Sequence, residues 1–160
     1  MPNVVLFEPQ IPPNTGNVAR SCAATGTGLH LIEPLGFSLE DRYLRRAGLD
    51  YWPLVDLHRH PDWATFEQQR RLRGGRLVAL SSHAEQSYTR FSFQSDDWLL
   101  FGRETDGLPE AIQTCCDARL VIPMRFAATR SQPGVRSLNL SVSVAVVLFE
   151  CLRQLNQLDP

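Results

Sequence analysis

The sequence predicts an α/β fold: a mostly parallel sheet flanked by helices. Two observations carry this. The candidate strands are short continuous apolar runs rather than alternating ones, the pattern of strands buried on both faces. These runs also alternate with helical patterns, as parallel strands require of their connections. A third observation, that no repeat, linker or low-complexity tract interrupts the 160 residues, predicts a single domain over 1–160.

Val4 to Phe7 reads as the first buried strand. Pro9, Pro12 and Pro13 then forbid a regular element, and Asn14 or Thr15 caps a helix from Gly16 to Thr25. Gly26 and Gly28 stop that helix, and Leu29 to Ile32 form a second strand. Ser38 followed by Asp41 resembles a capping box for a helix through Arg46, with Gly48 beyond its end. A short strand is expected over Leu54 to Leu57, then a helix from an Asp62 cap through Leu72, closed by Gly74 and Gly75. Leu77 to Leu80 and Trp98 to Phe101 are further strands. Pro109 opens a helix to about Cys115, and Leu120 to Ile122 is the last strand. A polar loop covers Arg125 to Arg136. Ser137 to Gln157 is the longest helix, with apolar positions recurring at three and four.

Hydrophobic residues make up 43 % and charged residues 21 %, so a domain of this length buries a core without staples. The four cysteines, Cys22, Cys115, Cys116 and Cys151, show neither C-x-x-C nor zinc-ligand spacing and read as free thiols. The N-terminus carries no signal-peptide pattern and no apolar run is long enough to span a bilayer, so a cytoplasmic protein off the membrane is expected. Net charge is −1, so global charge does not announce nucleic acid. All sixteen basic residues are Arg, each a planar fork suited to phosphate or to stacking on bases.

In a parallel sheet, ligands bind beyond the carboxyl ends of the strands. Glycines, small polar residues or a proline follow four of the strands: Asn14-Thr15-Gly16-Asn17, Ser81-Ser82, Gly102 to Pro109, and Pro123-Met124. No G-x-G-x-x-G follows the first strand, and without Lys no Walker A motif exists. His30, His58, His60 and His83 lack ligand or triad spacing and read as structural or solvated. The residues alone thus exclude the commonest α/β enzymes without naming a reaction.

Three segments together are more specific. Asn14-Thr15-Gly16-Asn17 with Arg20, Phe101-Gly102 with Glu104 and Gly107-Leu108-Pro109, and Ile122-Pro123-Met124 with Ser137-Leu138-Asn139-Leu140-Ser141 resemble the motifs of the SPOUT methyltransferases. Glu8 to Pro13, Ile32 to Phe37 and Leu44 to Tyr51 resemble the minimal, single-domain TrmL/YibK-like group of that family. The resemblance runs in order from about Met1 to Leu155. It implies a SPOUT fold with a deep C-terminal trefoil knot and a homodimer packed through the last helix. It also implies methyl transfer from S-adenosyl-L-methionine (AdoMet) to the wobble ribose 2′-hydroxyl of tRNA, on cytidine or modified uridine. The product is S-adenosyl-L-homocysteine, no metal takes part, and the partner is the anticodon stem-loop.

Carried over residue by residue, the resemblance implies cofactor contacts from Leu80, Gly102, Glu104, Ile122, Met124, Ser137 and Leu138. It assigns catalysis to Arg20, Ser137 and Asn139. Because guanidinium stays protonated, Arg20 is expected to position the hydroxyl and its phosphate rather than act as a base. RNA contacts are expected from Asn14, Arg20, Arg42, Arg45, Arg46 and Arg130. Two alternatives stay open: 2′-O-methylation at another RNA site, and a non-catalytic RNA- or AdoMet-binding module. Two departures from the pattern are a long Arg125 to Arg136 segment and Asp106, an acidic residue expected to alter which nucleotide is accepted.

Overall fold

The computed structural model describes residues 1–40, 42–48, 51–126, 131 and 133–158. The strands are β1 (Asn3–Phe7), β2 (Gly28–Ile32), β3 (Leu57–His60), β4 (Leu77–Leu80), β5 (Gln86–Ser87), β6 (Trp98–Phe101) and β7 (Ala118–Val121). They form one sheet in the order β3-β2-β1-β6-β4-β7-β5, every neighbour parallel. The helices are α1 (Pro12–Thr25), α2 (Arg42–Gly48), α3 (Trp63–Arg73), α4 (Glu110–Gln113) and α5 (Leu140–Gln154).

The continuous apolar runs arise because both faces of the sheet are covered. Val4, Leu6, Leu29, Leu31, Val78 and Leu99 point to one core, shared with Val18 and Cys22 of α1 and Val144, Val147 and Leu148 of α5. Their neighbours Val5, Phe7, Ile32, Leu77, Ala79 and Leu100 point to the other, shared with Phe66 of α3 and Ile112 of α4. Each Val, Leu, Ile or Phe among them contributes about 1.5–3 kcal/mol by burial.

From β1 the chain steps outward to β2 and β3, then crosses back so that β6 and β4 lie on the opposite side of β1. This reversal is the switch point of a doubly wound sheet, and it opens a crevice at the carboxyl ends of the strands.

Several expected boundaries move. Helix α1 starts at Pro12 rather than Gly16, with Ile11 at its N-cap making no side-chain cap bond. Prolines fit the first turn because its N–H groups have no partner inside the helix. Asn14 and Thr15 therefore lie within α1 instead of capping it. The strand expected at Leu54 to Leu57 is instead a 3₁₀ turn at Trp52–Leu54 followed by β3. Helix α4 ends at Gln113, and β7 lies two residues earlier than expected at its start. Asp62 caps α3 as expected, accepting from Thr65 N at 2.7 Å. Helix α5 begins at Leu140, not Ser137. The expected capping partner Asp41 lies outside the described residues; Ser38 Oγ accepts from Glu40 N.

Candidate active site

A cavity of about 640 Å³ lies beyond the carboxyl ends of β4, β6 and β7. This is within the usual range for small-molecule and cofactor sites. Its half-buried apolar wall comes from Leu80, Ile122, Leu138 and Leu140, with Met124 beside them. Gly102, Glu104, Ser137, Asn139 and Asn14 also line it. The structure thus brings every expected cofactor residue into one cavity.

Gly102 opens the loop after β6. A Cβ built there would stand 2.3 Å from Gly107 C and 2.4 Å from Leu108 N, so only glycine lets the two strands of this loop approach. Gly107 adopts φ 70° and closes the loop through paired hydrogen bonds with Arg103.

Glu104 ties this loop to the start of α1. Its carboxylate accepts from Gln10 N at 2.9 Å, Ile11 N at 3.1 Å and Asn14 Nδ2 at 3.2 Å. An anion suits a helix N-terminus, where amides lack partners. Asn14 is 6 % exposed, and its Oδ1 accepts from Asn139 Nδ2 at 2.9 Å. Asn139 Oδ1 accepts in turn from Ser141 N and Oγ, capping α5. Glu104, Asn14 and Asn139 thereby form one hydrogen-bonded chain joining three segments more than 30 residues apart in sequence. Both ends of the Asn14 amide are engaged inside this chain, and it faces the cavity rather than an outer surface.

Asp106 is matched in charge. Arg103 donates to its carboxylate through Nε at 2.6 Å and Nη2 at 2.9 Å, and through Nη1 to Glu8 at 2.5 Å. The Arg103 hydrogen bonds hold the Asp106 carboxyl below the usual carboxylate range. Glu8, at the end of β1, adopts φ 45°. That left-handed conformation costs a side-chain-bearing residue about 1–3 kcal/mol and is held here by the Arg103 bridge.

Arg20, Arg42 and Arg46 do not line the cavity. All three are exposed, Arg20 on α1 and the others on α2. The Arg20 guanidinium lies over the Tyr51 ring at 4.9 Å, and that of Arg42 over Tyr43 at 4.7 Å. Helix α2 packs closely on α1 at Gly16, where a Cβ would meet Ala47 Cβ at 2.6 Å. The side chain of Arg45 and the whole of Arg130 lie outside the described residues.

A buried polar cluster sits on the other face of the sheet. His30 and His58 stack with centroids 4.4 Å apart, and His30 Nδ1 lies 2.9 Å from His60 Nε2. Burial pushes His30 down to about 3, with His58, His60 and Arg73 adding to the effect. Sequence spacing missed this cluster. Its signal is His58 and His60 two apart on one strand, and pairing of that strand beside His30. All four cysteines are free, and burial pushes the Cys22 and Cys151 thiols up to about 12, which removes them as nucleophiles near neutral pH. Among the described residues, no group of three or more His, Cys, Asp or Glu is placed to hold a metal ion.

The fold and cavity define a doubly wound α/β protein with a cavity beside the switch point, walled by the loops after β4, β6 and β7. The chain belongs to the SpoU rRNA Methylase family, whose model matches residues 1–149. A Synechocystis sp. relative is 52 % identical over 158 residues, covering 99 % of each chain. A Polaromonas sp. protein named tRNA (cytidine(34)-2′-O)-methyltransferase is 49 % identical over 154 residues, covering 95 % of this chain and 90 % of its own. A solved structure described as giving structural insights into the 2-OH methylation of C/U34 on tRNA superposes with TM-score 0.89. That protein is 47 % identical, with 98 % of this chain and 97 % of its own covered. The AviRb SpoU methyltransferase from Streptomyces viridochromogenes, solved with AdoMet, gives TM-score 0.81 at 28 % identity over 98 % of this chain and 58 % of its own.

Proposed function

We propose that this protein transfers a methyl group from AdoMet to the ribose 2′-hydroxyl of nucleotide 34, the wobble position of tRNA, as cytidine or modified uridine. The observation that carries the reading is correspondence over nearly the whole of both chains with relatives named for that activity, at 46–49 % identity. The cavity fits the cofactor: an apolar slot of Leu80, Ile122 and Leu138 suits an adenine, and the Gly102 loop lets backbone amides approach a ligand.

AdoMet supplies an electrophilic methyl on a sulfonium. The protein's part is to align a ribose oxygen with that methyl and let its proton leave. Alignment of a bound pair contributes on the order of 7–11 kcal/mol. Met124, Ser137 and Leu138 line the cofactor slot. Glu104 holds the Gly102 loop against α1, and Asn139, with its amide fixed between Asn14 and Ser141, sets the approach to that slot. Arg20, outside the cavity, grips the ribose–phosphate beside the reacting hydroxyl, and Arg42, Arg45, Arg46 and Arg130 hold flanking phosphates.

The trefoil knot belongs to the same proposal. It is supported by the return of the chain after β7 to the Glu104 loop, where Asn139 bonds Asn14. So does the homodimer in the cytoplasm: Val142 and Phe149, two turns apart on α5, are 46 % and 43 % exposed while Val144, Leu148 and Cys151 face inward. A fully active species that sediments as a monomer overturns the dimer. Among the described residues no helix is long and apolar enough to cross a membrane.

The test incubates the purified protein with labelled AdoMet and tRNA lacking the modification, then maps the methyl by nucleoside mass spectrometry. A 2′-O-methyl at nucleotide 34 is expected. A 2′-O-methyl elsewhere overturns the wobble assignment, and AdoMet binding without transfer to any RNA overturns the enzyme.

A further inference from the structure

We propose that Tyr51 is a positioning residue for methyl transfer: its ring holds the Arg20 guanidinium in place while leaving the guanidinium's hydrogen-bond donors open for RNA. This rests on the reading of Arg20 given under Proposed function.

The way a guanidinium is held decides what it can still do. Its five N–H donors lie in the plane of the group, and its two faces carry none. A carboxylate partner consumes donors at the edge and cancels the charge. An aromatic partner takes a face, so the donors and the charge both remain. Both ways of holding occur among the arginines of this protein, and Arg76 and Arg103 show both at once, lying over the Phe91 ring at 4.7 Å and the Phe7 ring at 5.3 Å while their donors go to carboxylates. Arg70, Arg76, Arg103 and Arg153 each donate at least two hydrogen bonds to carboxylates and are structural. Among the described residues, the partner of Arg20 is the Tyr51 ring, 4.9 Å from ring centroid to Cζ. Arg42 is intermediate, stacked on Tyr43 yet donating to its hydroxyl at 2.7 Å.

The platform under Arg20 is itself fixed. Tyr51 opens the Trp52–Leu54 turn, its carbonyl accepting from Leu54 N at 2.8 Å. Pro53 restricts the backbone of that turn, and Trp52 packs against the main core next to α1. Arg20 lies one helical turn beyond Gly16, the residue at which α2 closes on α1. A long exposed side chain would otherwise sample many rotamers; stacking on a rooted ring selects among them before RNA arrives. Loss of the ring therefore weakens productive engagement of tRNA, and leaves the cofactor slot untouched because Tyr51 does not line it.

The experiment is a double-mutant cycle on the full-length protein with a tRNA transcript carrying cytidine at position 34. Initial rates are measured alongside AdoMet binding by calorimetry and the thermal midpoint. Tyr51→Leu is expected to lower kcat/KM for tRNA roughly tenfold, a loss in the range of a cation–π contact. Tyr51→Phe, which keeps the face, should stay within about twofold of wild type by the same reasoning. AdoMet affinity should be unchanged in both. In an Arg20→Ala background, Tyr51→Leu should add nothing, since the two residues act as one unit. Equal loss from Tyr51→Leu with and without Arg20 would overturn the proposal, because the ring would then act through the fold. Wild-type rates for Tyr51→Leu beside a strong loss for Arg20→Ala would overturn it too, while leaving the reading of Arg20 intact. Wild-type rates for Arg20→Ala would remove Arg20 itself.

Discussion

Two polar clusters flank the same sheet, one half-open at the cavity and one buried, and they are built on opposite terms. At the carboxyl ends of β4, β6 and β7, Glu104, Asn14 and Asn139 engage one another so that both ends of the Asn14 amide and both Glu104 oxygens are bonded. Under β2 and β3, His30 and His60 share one hydrogen bond, and His30 Nε2 and His60 Nδ1 are buried with no partner among the described residues. The first cluster spends its polar groups on holding loops at fixed distances, which a ligand site requires. The second fills space among Trp98 and Phe66 and carries a standing cost for its unpartnered nitrogens. Burial of polar side chains therefore does not mark a site by itself; what marks it is complete satisfaction across segments distant in sequence.

The contrast breaks first at Gly102. A Gly102→Ala side chain meets backbone rather than flexible atoms, so the loop must open. Calorimetry should find AdoMet binding abolished, while urea unfolding changes far less than binding does. A Glu104→Gln variant comes next. It replaces a charged acceptor of three donors by an amide whose NH₂ faces backbone N–H groups. The expected loss is about 3 kcal/mol, on the order of a hundredfold in AdoMet affinity.

The histidine cluster answers to pH instead. The folded-state pKa of His30 is depressed, so the unfolded chain binds the proton first as pH falls. Its contribution to stability is present above about pH 6.5 and is lost as pH drops from there towards 3. His60, lowered in the same direction by burial, adds to the loss. Denaturant midpoints between pH 7 and pH 4.5 should fall by an amount equivalent to about 2–3 kcal/mol for His30. A His30→Phe variant should flatten that slope; an equally steep slope would place the acid sensitivity elsewhere. The smallest effect is expected from Asn139→Ala, which removes the α5 cap and costs about 1 kcal/mol of stability. Asn139→Asp should recover the cap but not the donor to Asn14, which separates stability from activity.

The strands were legible because Val4 to Phe7, Leu77 to Leu80 and Trp98 to Phe101 are apolar on both faces, a pattern no exposed element shows. The cavity residues were legible only through their resemblance to known motifs. Glu104 and Asn14 are 90 residues apart, and no local rule joins them. The start of α1 was misread because prolines oppose helix interiors but suit first turns. The two-residue strand β5 is too short to leave a pattern. The histidine stack needed the register that sets His30 beside His58, which spacing along the chain does not contain. Asp106 stood out in the sequence by its charge, but its pairing with Arg103 three residues before it did not.

The central claim is that the ribose oxygen of nucleotide 34 is the methyl acceptor. The most direct measurement compares two otherwise identical tRNAs, one with cytidine and one with dC34, in the presence of labelled AdoMet. Transfer to the first and none to the second is expected, with AdoMet binding equal in both reactions. Undiminished labelling of the dC34 tRNA would contradict it, because the methyl would then be going to a base or to another ribose.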